Sequence, residues 1–141
     1  MIGSILVVED EADLAATCAR LLQRVGWRVE TAATRGAGLT AVAAAHRPAL
    51  AIVDRQLPDG DGLDVLRAAT DAGTPVIVIS GGDWSNTRRL ALDNGAAAFL
   101  GKPFSARDLL ALVDSILGRP PVSPSPPPPP ASGPARFGLA C

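Results

Sequence analysis

Short apolar runs alternate with longer amphipathic stretches through most of the chain. The runs are rich in Val, Ile, Leu and Ala, as in buried strands, and the stretches between them repeat apolar residues at helical spacing, as Leu14, Cys18 and Leu22 do. The pattern predicts strands at 4–8, 28–32, 49–54, 75–80 and 97–101. It predicts helices at 12–25, 35–45, 62–71, 85–94 and 106–117.

The alternation of strand and helix indicates the fold class. Five strand–helix units with short links favour a parallel sheet with right-handed crossovers. Runs 4–8, 49–54 and 75–80 are almost wholly apolar, which suits strands covered on both faces, whereas 28–32 alternates and suits an edge. The prediction is an α/β fold, a doubly wound parallel sheet with helices on both sides.

Composition divides the chain near Gly118. The 141 residues are 48% hydrophobic and 19% charged, which fits one compact domain. Residues 119–141 include nine prolines, five of them consecutive at 126–130. Proline lacks the amide donor and fixes φ, so such a segment cannot join a helix or a central strand. We predict a domain at 1–118 and a Pro-rich disordered tail at 119–141.

The charge balance and hydropathy limit the kinds of partner that we expect. Thirteen basic and fourteen acidic side chains give a formal charge of -1, so direct DNA binding is not expected. No apolar run approaches the roughly 20 residues of a membrane span, so membrane insertion is not expected either. The first residues have no basic leader pattern, and a cytoplasmic location is the expectation. Two cysteines and one histidine make a zinc site an unfavoured interpretation.

Chemically active side chains follow the predicted strands. Glu9 and Asp10 follow the first strand, Asp54 ends the third, Ser80 ends the fourth and Lys102 follows the fifth. The carboxyl ends of parallel strands meet at one edge, where ligands bind in such folds. Carboxylates are the ligands that Mg²⁺ prefers, and an amine with a hydroxyl suits a phosphoryl group. The set predicts a site for both.

The motifs VVED, DRQLPDGDG and KPF, in this order, make the chain resemble the receiver domain of two-component response regulators. The resemblance implies a flavodoxin-like (βα)5 fold with sheet order 2-1-3-4-5. It further implies Asp54 as phosphoacceptor, Lys102 as the phosphate-binding amine, and Ser80 and Phe99 as switch residues. The implied Mg²⁺ ligands are Glu9, Asp10, Asp54 and the backbone carbonyl of Gln56.

The resemblance also implies a function. The chain would be a stand-alone receiver that takes a phosphoryl group from a sensor histidine kinase or a histidine phosphotransfer protein. It would signal by phosphorylation-dependent contact with a downstream protein, or by onward phosphotransfer. It would not be an enzyme with a separate substrate, apart from catalysing its own phosphorylation and dephosphorylation.

Two alternatives stay open. One is a receiver-like scaffold that works without phosphorylation. The other is a phosphatase of the haloacid dehalogenase type, which also uses an aspartate nucleophile. That family needs a second aspartate two residues later, where this chain has Gln56, and its nucleophile precedes the acidic pair.

Overall fold

A five-stranded parallel sheet forms the centre of the protein. The computed structural model describes residues 3–82 and 84–118. The strands are β1 (Ser4–Val8), β2 (Arg28–Ala32), β3 (Leu50–Asp54), β4 (Val76–Ser80) and β5 (Ala98–Gly101). Their order in the sheet is β2-β1-β3-β4-β5, which confirms the predicted topology. A small antiparallel hairpin follows β3 and was not predicted. Its two strands, Gln56–Leu57 and Gly60–Asp61, have two residues each.

Five helices cover the two faces of the sheet. They are α1 (Ala12–Arg24), α2 (Arg35–Val42), α3 (Gly62–Asp71), α4 (Trp84–Asp93) and α5 (Ala106–Leu117). Alternate residues of the strands point to opposite faces. Ile5, Ile52 and Ile77 join one apolar cluster with residues of α1 and α5. Residues such as Val8 and Val53 join a second cluster with α2, α3 and α4. The predicted α/β class with two helical layers is therefore confirmed.

The predicted helix limits are mostly within one residue, but α2 is shorter than predicted. It ends at Val42, not at residue 45. Val42 is the last buried residue of the helix, and the amide of Ala44 donates to the carbonyl of Ala41 in a tighter turn. The three alanines that follow, at 43–45, are exposed, so another helical turn would add little burial in the core. The side chains of Thr34 and Ser105 cap α2 and α5 by accepting hydrogen bonds from the amides of Ala37 and Asp108.

Helices in the described ranges are all too short or too polar to cross a membrane. Residues 119–141, for which a disordered tail was predicted, lie outside the described residues. So do residues 1–2, the first two of the predicted domain.

Candidate functional site

The sheet brings the predicted site residues to one edge. β3 and β4 pair with Asp54 opposite Ile79, and β4 and β5 pair with Ser80 opposite Gly101. Asp54, Ser80 and Lys102 therefore lie on neighbouring strand ends, with the amide of Lys102 donating to the carbonyl of Ser80 at 2.8 Å. Glu9 follows β1, on the other side of β3. This is the edge where doubly wound sheets bind ligands.

Lys102 contacts the carboxylates that surround it. Its Nζ lies 2.9 Å from Oδ2 of Asp54 and 2.9 Å from Oε1 of Glu9. Oε1 of Glu11 is 3.7 Å away. Lys102 is the only lysine among the thirteen Lys and Arg residues of the sequence, and the others are arginines. A flexible ammonium can approach several carboxylates as a point charge, which the planar guanidinium of arginine cannot do as readily.

Glu9 is an almost fully buried carboxylate with unused hydrogen-bonding capacity. It is 2% exposed, and its Oε2 accepts from the amide of Glu11 at 3.0 Å. Within the described ranges its Oε1 accepts no hydrogen bond of proper angular geometry, although Lys102 is close enough for an ion pair. Burial raises the pKa of Glu9 above its ordinary 4.5, against the opposing effect of Lys102.

The geometry fits a divalent cation. One carboxylate oxygen from each of Glu9, Asp10 and Asp54 lies within 4.8 Å of the others. Asp10 is exposed, so one side of the cluster opens to solvent. An orphaned buried oxygen beside two further carboxylates is the donor set that a hard ion such as Mg²⁺ takes, while keeping several waters. The predicted ligand set is thus brought together, except that nothing tests the carbonyl of Gln56, which stays a prediction.

The surrounding carboxylates also shift the pKa of Lys102. Burial alone would lower the pKa of its amine, but the contacts with Glu9 and Asp54 outweigh burial and raise the pKa above 10.5. The amine is therefore protonated at neutral pH. One positive charge then faces the acidic cluster, which leaves net negative charge for a cation to neutralise.

The turn after β3 holds Asp54 in place. The amide of Gln56 donates to Oδ1 of Asp54 at 3.1 Å, while Oδ2 faces Lys102. Gly62 packs so closely on this turn that a Cβ atom there would overlap the carbonyl of Asp54. Its amide donates to the carbonyl of Arg55 at 2.7 Å. A glycine is needed here because the backbone of α3 touches the backbone of the turn.

The predicted switch residues lie beside the site. The hydroxyl of Ser80 donates to the carbonyl of Gly81 at 3.0 Å, so it is turned to the backbone of the next residue. Phe99 is half-buried, pairs with Val78 across β4 and β5, and packs against the cluster under α2, α3 and α4. Their roles as a switch stay predictions.

Several contacts near the site were not predicted. Asp59 accepts hydrogen bonds from the amides of Arg35 and Gly36 at the start of α2, and these bonds lower its pKa below 3.8. The guanidinium of Arg55 donates a hydrogen bond to the hydroxyl of Thr87 on α4. The sequence offered a signal only for Asp59, since an aspartate in a turn commonly binds amides. The pairing of Arg55 with Thr87 depends on tertiary placement.

A doubly wound parallel sheet with an acidic cluster and a lysine at its carboxyl edge defines the class of protein. The response regulator receiver domain family matches residues 5–114, so the chain belongs to that family, as predicted. The KDP operon transcriptional regulatory protein KdpE of Escherichia coli is 38% identical over 117 residues, covering 82% of this chain and 52% of KdpE. The chain spans about half the length of the first curated relatives it matches.

Solved structures show the same fold. A CheY-like receiver domain protein from Methanospirillum hungatei JF-1 has a TM-score of 0.75 and 31% identity, covering 82% of this chain and 93% of that one. A response regulator from Burkholderia pseudomallei, solved with a phosphorylated aspartic acid, a calcium ion and citrate, has a TM-score of 0.71 and 29% identity. It covers 77% of this chain and 65% of that one.

Proposed function

We propose that this chain accepts a phosphoryl group on Asp54 and signals through the structural response to that charge. The observation that carries the proposal is the contact of Lys102 with Oδ2 of Asp54, next to the cluster of Glu9, Asp10 and Asp54. A nucleophilic carboxylate, a fixed positive charge and a cation-binding cluster are what phosphoryl transfer to an aspartate needs. The structure from Burkholderia pseudomallei, with its phosphorylated aspartic acid and calcium ion, supports the assignment by similarity.

The proposed reaction uses Asp54 as nucleophile. One carboxylate oxygen attacks phosphorus in a phosphohistidine of the donor protein. A P–O bond forms, the P–N bond breaks, and the histidine nitrogen leaves with the electron pair. Lys102, held at 2.9 Å from Oδ2, stabilises the charge that collects on the phosphoryl oxygens. Ser80 is the hydroxyl that turns from Gly81 to the phosphoryl group.

The carboxylates of Glu9 and Asp10 are proposed to hold Mg²⁺ with Asp54 and the carbonyl of Gln56. When bound, the ion supplies positive charge that neutralises the phosphoryl oxygens. The carboxylates of Glu9 and Asp54 are buried and near one another. Their mutual repulsion favours binding of a cation.

The donor is proposed to be a sensor histidine kinase or a histidine phosphotransfer protein. The output is proposed to be phosphorylation-dependent contact with a protein, through movement of Ser80 and Phe99, or onward phosphotransfer. The first curated relatives are named as transcriptional regulators, and the match covers only about half of their length. A stand-alone receiver without direct DNA binding therefore stays a proposal. So does the cytoplasmic location.

Incubation with acetyl phosphate and Mg²⁺, followed by intact-mass measurement, tests the proposal. We expect one added phosphoryl group per chain, with none in Asp54→Asn or in the presence of a chelator. Steady release of inorganic phosphate from many different phosphate esters would indicate a phosphatase instead. No mass change under any condition would indicate a scaffold that works without phosphorylation, and would reject the proposal.

The matched control is Asp59→Asn. Asp59 lies in the same turn but binds the amides of α2 and takes no part in the acidic cluster. It should take up the phosphoryl group as the wild type does. Loss of labelling in Asp59→Asn as well as in Asp54→Asn would mean that the turn needs only to be intact, and the assignment of Asp54 would fail.

A further inference from the structure

Arg55 directly follows Asp54, and its side chain crosses to α4. Its Nη1 donates to Oγ1 of Thr87 at 3.0 Å, and its Nε lies 3.6 Å from Oδ1 of Asp61 at the start of α3. The Arg55 side chain is only 25% exposed and Thr87 is 6% exposed. The bond therefore joins a charged donor to a buried hydroxyl, a combination stronger than a neutral hydrogen bond.

The backbone of Arg55 is fixed on both sides. Its amide donates to the carbonyl of Ile79 at 3.0 Å, and its carbonyl accepts from the amide of Gly62 at 2.7 Å. The residue after Asp54 is thus tied to β4 and to α3. A shift of α4 relative to this turn must either break the contact between Arg55 and Thr87 or draw the side chain along.

A second contact ties the start of α4 to the other side of the site. Trp84 is the first residue of α4, and a Cβ atom on Gly101 would overlap its indole ring. Gly101 directly precedes Lys102. Trp84 is 45% exposed, so its ring covers the strand end from the solvent side. The first turn of α4 therefore touches the residue after the phosphoacceptor on one side and the residue before Lys102 on the other.

We propose that the hydrogen bond between Arg55 and Thr87 is a latch that couples the position of α4 to the state of Asp54. The proposal rests on the proposed function of Asp54. A phosphoryl group there adds negative charge one residue from Arg55, and a guanidinium prefers a phosphoryl oxygen to a neutral hydroxyl. The side chain leaves Thr87, and α4 is released from the phosphoacceptor turn. Arg55 is then a positioning residue that converts charge at Asp54 into movement of α4.

Linkage gives the latch a measurable signature. The bond to Thr87 opposes the activated arrangement, so removing the acceptor favours activation and raises the affinity for a phosphoryl mimic. Thr87→Val keeps the side-chain shape but removes the hydroxyl. We expect it to lower the half-saturating concentration of beryllium fluoride, measured with Mg²⁺, about fivefold.

The test is a double-mutant cycle on the full chain, with beryllium fluoride titrated into wild type, Thr87→Val, Arg55→Gln and the double variant. We expect the Thr87→Val effect to disappear in the Arg55→Gln background, and Thr87→Ser to keep the wild-type value. No effect of Thr87→Val on either background, or the same effect on both, would overturn the latch.

Amide NMR spectra provide a second readout and establish that each variant is folded. Without the mimic, Thr87→Val should move the α4 amides toward their positions in the mimic-bound wild type, and the absence of such movement would contradict the proposal. Arg67→Gln is the matched control, because Arg67 joins α3 to Asn94 just beyond the other end of α4. It should leave the half-saturating concentration unchanged. If wild type takes no phosphoryl group from acetyl phosphate, the proposed function fails; if it does and the cycle is additive, only the latch fails.

Discussion

Replacement of Lys102 by methionine should destabilise the protein strongly at neutral pH when no metal is present. The substitution keeps much of the side-chain volume and removes the positive charge that contacts Glu9 and Asp54. Those two residues are 2% and 4% exposed, so water replaces the ammonium poorly at their carboxylates. A buried ion pair that loses one partner leaves an uncompensated charge, and this typically costs about 3–5 kcal/mol.

The magnitude follows from two alternative responses to the lost charge, which are repulsion between the ionised carboxylates and protonation of Glu9. The carboxylate oxygens lie within 4.8 Å of each other, and at an effective dielectric constant of about 20 two such charges repel by roughly 3.5 kcal/mol. Protonation of Glu9 offers an escape. From its ordinary pKa of 4.5, taking up a proton at pH 7 costs about 3.5 kcal/mol at roughly 1.4 kcal/mol per pH unit. The two routes are similar, so we expect a loss of about 3.5 kcal/mol at pH 7.

The pH dependence has a definite sign. Burial already holds the pKa of Glu9 above 4.5, and the loss of Lys102 raises that pKa further. A group with a raised pKa in the folded state contributes stability below its unfolded pKa, and this contribution is lost as pH rises through the folded pKa. The penalty of Lys102→Met should therefore shrink to about 1 kcal/mol near pH 5. The wild-type amine, with its pKa raised above 10.5, stays charged over this interval.

Urea unfolding at pH 5 and pH 7 in the presence of a chelator measures these differences. Arg107→Met is the matched control, since Arg107 is exposed on α5. This substitution also removes one positive charge, but away from the site. It should change the free energy of unfolding by less than about 0.5 kcal/mol. A Lys102→Met protein as stable as wild type at pH 7, or a penalty that does not depend on pH, would refute the reasoning about the buried carboxylates.

Three further predictions concern the surroundings of the site. Asp10→Asn should weaken Mg²⁺ binding on the order of tenfold, because it removes one of the clustered carboxylates; unchanged affinity in an NMR titration would contradict the proposed ligand set. Asp59→Ala should lower stability at pH 7 and progressively less as pH falls below 3.8, because the lowered pKa of Asp59 means a contribution present above 3.8 and lost as pH falls through its folded value; an equal loss in urea unfolding at pH 7 and at the lowest pH where the protein stays folded would show that its charge is irrelevant. Gly101→Ala should displace the indole of Trp84 and change the tryptophan emission, whereas an unaltered spectrum with full stability would show that the ring does not rest on this strand.

The sheet topology and the strand ends could be predicted because the signal is local. Near-continuous apolar runs mark the buried strands, and Asp54 and Ser80 are the polar residues that end two of them. Once the strands are parallel, the meeting of their carboxyl ends follows from geometry alone. The sequence therefore predicts which residues gather, without information on the contacts they make.

The contacts that were missed depend on tertiary structure. The hydrogen bond of Arg55 to Thr87 joins residues 32 positions apart, and no periodicity marks an arginine that crosses to another helix. The premature end of α2 at Val42 has the same origin, since helix length was set by what the core could bury. The single lysine is a signal that composition did contain. In a chain whose other Lys and Arg residues are all arginine, the single lysine lies beside the buried carboxylates of Glu9 and Asp54.

Identification of the phosphorylated residue tests the central claim most directly. Borohydride reduces an aspartyl phosphate to homoserine, so the labelled position can be read from a peptide by mass spectrometry. After treatment with acetyl phosphate and Mg²⁺, the account predicts homoserine at position 54 in the wild type, and none when the donor is omitted. Homoserine at Asp10, Asp59 or Asp61 with Asp54 unmodified, or no homoserine at all, would contradict it.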